Sequence, residues 1–255
     1  MTPLEAPPDL MEISSVTYGV RLVFVLISFD WMCEATDRVS GGRSRILQSD
    51  VLQDALVNNV FVQLFQRCAN EDTVIAYDVA NEPEWAIAEV GLPNPPTING
   101  KVIDPVSMQD FTRFVKQVTA AARQYALAQY VTLGSARAKW VGYWQDVGLD
   151  FYQFHYYPGL EDGRTLIQVV SDLPPDINRP VWLGEIPANV SGDDGFMTRI
   201  LDEAYIPKAA EGAGLAGAAP WSMLGGDNCG APDTDALKQF ASDHAADINS
   251  AGGVP

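Results

Sequence analysis

The chain has 255 residues, 47% of them apolar, which is enough for one large core or at most two small domains. Its 33 acidic residues outnumber 16 basic ones and leave a net charge of −17, a balance that repels phosphate backbones and excludes nucleic acid as an expected partner. No run reaches the ~18 uncharged apolar residues of a membrane span, and the most apolar stretch, Leu22 to Phe29, has only the length of a buried strand.

Strand-like and helix-like segments alternate along the sequence. Val20 to Phe29 is rich in β-branched and aromatic residues and reads as a strand. Ser49 to Cys68 reads as a helix, with Leu52, Leu56, Val60 and Leu64 at fourfold spacing. Val74 to Ala80 is a strand. Met108 to Tyr125 is a helix with Phe111, Phe114, Val115 and Val118 on one face. Then follow a strand (Tyr130 to Gly134), a short helix (Ala138 to Asp146), a strand (Phe151 to Tyr156) and a short helix (Thr165 to Ser171). A strand (Val181 to Gly184), a helix (Phe196 to Ala210), a strand (Leu215 to Trp221) and a final helix (Asp235 to Ala246) complete the series. Six strands, each followed by a helical pattern, imply βαβ units and a parallel sheet. The right-handed crossover rule puts every strand's C-terminal end on one rim. Pro/Gly-rich segments, Gly91 to Pro105 and Gly225 to Pro232, supply the long loops on that rim. The fold class expected is α/β: a (β/α) barrel of the TIM type, carried by residues 1–255 as a single domain.

Three of these strands end on groups able to do acid–base or nucleophilic chemistry. Val74 to Val79 runs into Ala80-Asn81-Glu82-Pro83. Phe151 to Phe154 runs into His155-Tyr156-Tyr157. Val181 to Gly184 runs into Glu185. A (β/α) barrel keeps its catalytic groups at this rim. Alternation along β-strands gives further expectations. With Glu185 facing inward, Val181 and Leu183 also face inward and Trp182 faces the helices, in core packing. Gln153, His155 and Tyr157 share one face and need polar partners, which the carboxylates can supply. Asp78 shares parity with Glu82 and reads as a buried structural aspartate.

In their order, Asn81-Glu82-Pro83, His155-x-Tyr157, Glu185 and Trp221 resemble the clan A retaining glycosidases. Glycoside hydrolase family 5, the cellulase and mannanase family, is the most similar. The resemblance runs from about Val20 to Ala246. It implies that Glu82 is the general acid/base and Glu185 the nucleophile. It also implies that Asn81 contacts the sugar 2-hydroxyl, that His155 and Tyr157 hold the glutamates and substrate, and that Trp221 is the platform under the sugar. Trp31 and Trp85 follow strand ends and are expected as subsite walls, since aromatic faces stack on pyranose rings. Trp140 and Trp144, at helical spacing, are expected in the core.

The sequence departs from the family pattern in three ways. The family has eight strands, and the six found here match its third through eighth. The 19 residues before Val20 hold one helix, Pro8 to Tyr18, and not two βα units. No residue stands in for the arginine of the family's second strand, and the third family strand ends here in Phe29-Asp30-Trp31 in place of histidine.

The expected activity is hydrolysis of β-linked neutral hexose oligo- or polysaccharides with retention, by a two-glutamate double displacement. The alternative is a carbohydrate-binding barrel with impaired catalysis, suggested by the missing arginine and strands. Gluco, manno or galacto preference, and exo or endo action, stay open. With two histidines and no metal-ligand spacing, neither a metal nor a cofactor is expected. His244, in the polar final helix, is expected in solvent. Cys33, Cys68 and Cys229 read as ordinary thiols, with one disulfide left open. An incomplete parallel sheet exposes an edge, so self-association into a homo-oligomer is expected to cover it. Met1 to Asp9 is acidic and proline-rich, unlike a signal peptide, so the protein is either cytoplasmic or secreted with its signal removed.

Overall fold

A computed structural model describes residues 21–34, 42–90, 97–98, 100–190, 193, 195–205, 212–222, 229 and 231–244. In chain order the strands are β1 (Leu22–Val25), β2 (Val74–Asn81), β3 (Thr97–Ile98), β4 (Lys101–Val102), β5 (Tyr130–Ser135), β6 (Tyr152–His155), β7 (Val181–Pro187) and β8 (Gly217–Trp221). Six of them form one sheet in the order β1-β2-β5-β6-β7-β8. These are the six strands expected from alternation. β1 pairs parallel with β2, β5 with β6, β6 with β7 and β7 with β8. Sequence-adjacent parallel strands joined by helices are the architecture of a (β/α) barrel, here an incomplete one of six strands among the described residues. β3 and β4 form a separate antiparallel pair inside the segment read as a plain loop. The helix expected over Pro8 to Tyr18 and most of the loop from Gly225 lie outside the described residues.

The chain divides into two compact units, residues 1–133 with 146–150 and residues 134–145 with 151–255. In the first unit, Ser44–Leu47 (α1) leads into Asp50–Leu56 (α2), which continues through one π-helical stretch, Val57–Phe61, into Val62–Cys68 (α3). The fourfold stripe Leu52, Leu56, Val60, Leu64 is not the face this helix buries. Leu52 and Val60 are exposed, while Gln53, Val57, Phe61 and Phe65, each one position further on, are buried. Aromatic bulk decides the difference. Phe61 packs on Phe65 and Phe114, and Phe65 meets Tyr77 of β2 edge-on at 4.6 Å. Gln53 is admitted to the buried stripe because its amide is fully used. It donates to the Leu47 and Asp110 carbonyls and accepts from Arg113 Nε at 3.1 Å.

Met108–Tyr125 (α4) buries the predicted face of Phe111, Phe114, Val115 and Val118. It starts at a capping arrangement in which the Asp110 N–H donates to Ser107 Oγ at 3.1 Å and Ser107 Oγ donates to Asp110 Oδ2 at 2.7 Å. The Ser107 hydroxyl and the Arg113 guanidinium hold the Asp110 carboxyl below its ordinary range.

In the second unit, the short helix expected over Ala138 to Asp146 is a 3-10 helix, Ala138–Trp144. Trp144 is buried in the core as predicted. Trp140 is only half-buried, and Arg137 and Lys139 lie over its ring at 5.4 and 5.0 Å. Leu166–Val170 (α5) begins with a full Thr165/Gln168 capping box. Phe196–Tyr205 (α6) and Thr234–Asp243 (α7) complete the described helices. His244 is not free in solvent. It stacks on Phe240 at 4.4 Å, and its Nε2 meets Asp202 at 3.1 Å. Cys33, Cys68 and Cys229 are free thiols, all buried. Burial pushes the Cys33 and Cys68 thiols up. No described helix is long and apolar enough to cross a membrane.

Candidate active site

The first unit presents Asn81 and Glu82 at the C-terminal end of β2. Tyr77 points toward Phe65 of α3, so Asp78 and Ala80 lie on the opposite face of the strand. Asp78 is buried, and its Oδ1 accepts the Ala80 N–H at 3.2 Å, which fits the structural role expected of it. The strand end is pinned by the Asn81 N–H, which donates to the Ile27 carbonyl at 2.9 Å, and by a parallel bridge to Ser28. Glu82 then leaves the strand in the left-handed region, at φ 49° and ψ 44°. Only one other described non-glycine residue, Asp162, has positive φ. Such a conformation costs about 1 kcal/mol or more and is typical of functional sites. Pro83 follows with its φ already fixed for the 3-10 turn Pro83–Ala86. The turn returns Trp85 to Glu82, and its Nε1–H donates to Glu82 Oε2 at 2.9 Å. Trp31 sits on the 3-10 turn Phe29–Met32 after β1, half-buried, with Arg43 over its ring at 5.0 Å.

The second unit brings together three of the predicted residues. His155 is the last residue of β6 and is buried. Tyr157 follows two positions later. The Tyr157 hydroxyl donates to Glu185 Oε2 at 2.7 Å, and His155 Nδ1 lies 3.4 Å from the same oxygen. The Tyr156 N–H also donates to the Glu185 carbonyl at 2.9 Å, so β7 is fixed by its backbone at this point. Glu185 is half-buried, with its side chain 16% exposed. Trp221 ends β8, is 39% exposed, and accepts the Ala188 N–H at 2.7 Å through its carbonyl.

Glu185 reaches this position by a route that simple alternation does not give. Gln153 pairs with Trp182 and Phe154 with Leu183, but the next pair is His155 with Glu185. On the other side, Leu183 pairs with Ala218 and Ile186 with Pro220. Relative to both neighbours, β7 therefore carries one extra residue between Leu183 and Ile186. This is a bulge, a device that re-aims a side chain. Below it, Trp182 shares the face of Gln153 and meets Phe151 edge-on at 5.3 Å. Val181 and Leu183 share the opposite face with Tyr152 and Phe154. The parity assigned from sequence is thus reversed: Trp182 lies on the His155 side, and Leu183 and Val181 do not. Glu185 still joins His155 because the bulge turns it over.

A buried ion pair that the sequence did not signal lies past β5 and β6. Arg137 Nε is 3.6 Å from Glu161 Oε1, and burial raises the Glu161 carboxyl above its ordinary range against the pull of Arg137.

No protein-family model matches this chain, and neither does any curated protein. Solved structures do match. An endo-1,4-β-mannanase from Eisenia fetida superposes with a TM-score of 0.67 at 22% identity, over 91% of this chain and 69% of that one. The chain shares its fold with the β-mannanases. A β-mannanase from the blue mussel Mytilus edulis gives 0.61 at 19% identity, over 87% of this chain and 66% of that enzyme. A β-1,4-D-mannanase from Cryptopygus antarcticus gives 0.65 at 15%, over 91% and 68%. The chain spans about two thirds of the length of each of these enzymes.

Proposed function

We propose that this chain is a retaining β-glycoside hydrolase acting on β-linked neutral hexose oligo- or polysaccharides, within one catalytic domain. The observation that carries the reading is the Tyr157–Glu185–His155 group, at the end of β6 and at the bulge within β7. There a carboxylate is oriented by a 2.7 Å phenol hydrogen bond and a 3.4 Å imidazole contact. The β-mannanase fold supports it.

In this mechanism Glu185 attacks the anomeric carbon while Glu82 donates a proton to the departing glycosidic oxygen. A glycosyl ester on Glu185 results. Glu82, now a carboxylate, takes a proton from water. The hydroxide attacks the same carbon and releases Glu185, so configuration is retained. The double displacement requires the two carboxyl groups to stand ~5–5.5 Å apart. Asn81 holds the 2-hydroxyl, Trp221 stacks under the sugar, and Trp31 and Trp85 flank the chain. Trp85 also steadies Glu82 through its indole N–H. A second copy of the chain covers the edge of the sheet at β1, where Val25 is 54% exposed, and light scattering at micromolar concentration is expected to report a dimer or larger species rather than a monomer.

The test of the activity is Glu185→Gln on a panel of aryl β-glycosides. The substitution keeps size and removes the nucleophile, so turnover is expected to fall at least about a thousandfold, about 4 kcal/mol of barrier. A variant that hydrolyses as fast as the parent chain refutes the mechanism. Binding without hydrolysis by the parent chain itself supports the carbohydrate-binding alternative instead.

A further inference from the structure

We propose that Gly184 is a positioning residue: the absence of a side chain there lets the Gln153 amide and the His155 ring lie against the β7 backbone, and so sets the approach of His155 to Glu185. The inference rests on the reading of Glu185 as nucleophile only for its kinetic arm.

A Cβ built on Gly184 falls 2.5 Å from Gln153 Oε1, 3.0 Å from His155 Cδ2 and 3.1 Å from His155 Nε2. The first distance is a clash, and the other two are tighter than ordinary packing allows. Neither neighbour has room to give, since Gln153 is 6% exposed and His155 is 2% exposed. Beneath them the same face is closed by Trp182 against Phe151. Gly217 leaves room for the Trp182 indole, because its own Cβ would fall 1.6 Å from Trp182 Nε1. The face is therefore built in steps. A large floor of Phe151 and Trp182 carries a polar step of Gln153 beside bare Gly184, and His155 and Glu185 stand above. Gly184 does two things at once. It sits within the bulge that turns Glu185 toward His155, and it vacates the volume the imidazole needs to keep its Nδ1 within 3.4 Å of Glu185 Oε2. Close packing transmits a displacement of a few tenths of an ångström directly to that contact.

The experiment is Gly184→Ala in the full chain, read two ways. The first needs no activity. The sequence contains only His155 and His244, so the two imidazole titrations are separable by NMR and assigned with His244→Gln. A neighbouring carboxylate favours the protonated ring. The methyl group presses on the Cδ2–Nε2 edge of the ring, so the separation of Nδ1 from Glu185 changes, and the His155 midpoint is expected to shift from its parent value while His244 stays unmoved. The second reading is steady-state kinetics on an aryl β-glycoside. A fall in kcat of at least about tenfold is expected, with KM within about twofold. If Gly184→Ala does not fold, the double variant Gly184→Ala/Gln153→Ala removes the 2.5 Å clash and leaves the two His155 contacts. It is expected to fold and to show the same displaced midpoint. A His155 midpoint at the parent value in the folded variant overturns the inference, whether or not kcat has fallen. A parent chain without hydrolysis, tested alongside Glu185→Gln, counts against the proposed function alone, and the NMR reading then decides the role of Gly184.

Discussion

Tyr157→Phe isolates one hydrogen bond of the candidate nucleophile. The ring stays, so packing at the end of β6 is kept. What disappears is the O–H donating to Glu185 Oε2 at 2.7 Å. A hydrogen bond to a charged group contributes about 1.5–3 kcal/mol, which is about 10- to 150-fold in rate at 1.36 kcal/mol per decade. The whole of that does not reach kcat. In the proposed mechanism Glu185 gives up negative charge as it bonds to the sugar, so the phenol's hold on it weakens along the reaction. What kcat loses is mainly orientation, and His155 still touches the same oxygen. The expected fall is therefore at the low end, about tenfold. The donor also favours the carboxylate over the acid form, so its removal moves the acid limb of kcat/KM to higher pH. The assay is initial rates on an aryl β-glycoside from acid to neutral pH, with active sites counted by a covalent inactivator. An unchanged kcat together with an unmoved acid limb refutes the assignment of Tyr157. So does a rate loss that the active-site count fully explains.

Two further predictions concern the scaffold. Gly217→Ala places a methyl group 1.6 Å from the Trp182 indole nitrogen. Overpacking of this kind costs about 1–3 kcal/mol, visible as a lower urea midpoint with a changed tryptophan emission, and a smaller loss is expected when Trp182→Phe is made with it. Asp110→Asn weakens the start of α4, where the carboxylate meets Ser107 and Arg113. The loss at neutral pH is about 1 kcal/mol. Because the folded carboxyl lies below its unfolded value, its contribution is full above the ordinary carboxylate range and is lost as pH falls through the depressed value. Denaturation of the two chains is thus expected to differ at pH 7 and converge in acid.

Periodicity made most of the secondary structure legible. Met108–Tyr125 buries the face that its 3.6-residue spacing indicates, and the six strands of the sheet fall in the segments read as strands. The strand-end residues were legible for the same reason. A glutamate or histidine closing an apolar run has few structural explanations. His155 ends β6 and Glu82 directly follows β2, whereas β7 continues past Glu185 to Pro187. Reading failed where two patterns competed. The helix through Asp50–Leu56 and Val62–Cys68 carries two adjacent apolar stripes, and spacing alone does not choose between them. Volume does, because Phe61 and Phe65 fill the space against Tyr77 and Phe114, which Leu52 and Val60 cannot. Trp140 and Trp144 show the same limit. Their spacing is helical, but only Trp144 is buried, while Trp140 is half-buried with Arg137 and Lys139 over its ring.

The orientation of Glu185 shows how a right residue can be reached by a wrong path. Strict alternation ties Glu185 to Leu183 and Val181, and the register ties those two to Phe154 and Tyr152, away from His155. On an unbroken strand Glu185 would then point away from the imidazole. One extra residue reverses it. The sequence does contain the signal, since an isolated glycine inside a strand pattern marks a bulge or a close backbone approach, and Gly184 stands directly before Glu185. Here both meanings hold, because the bulge and the narrow space beside Gln153 and His155 fall at the same residue. A regular strand would put either a small residue beside His155 or a carboxylate on its face at alternate positions, never at consecutive ones. The bulge is what permits Gly184 and Glu185, neighbours in sequence, to serve the same side of the sheet.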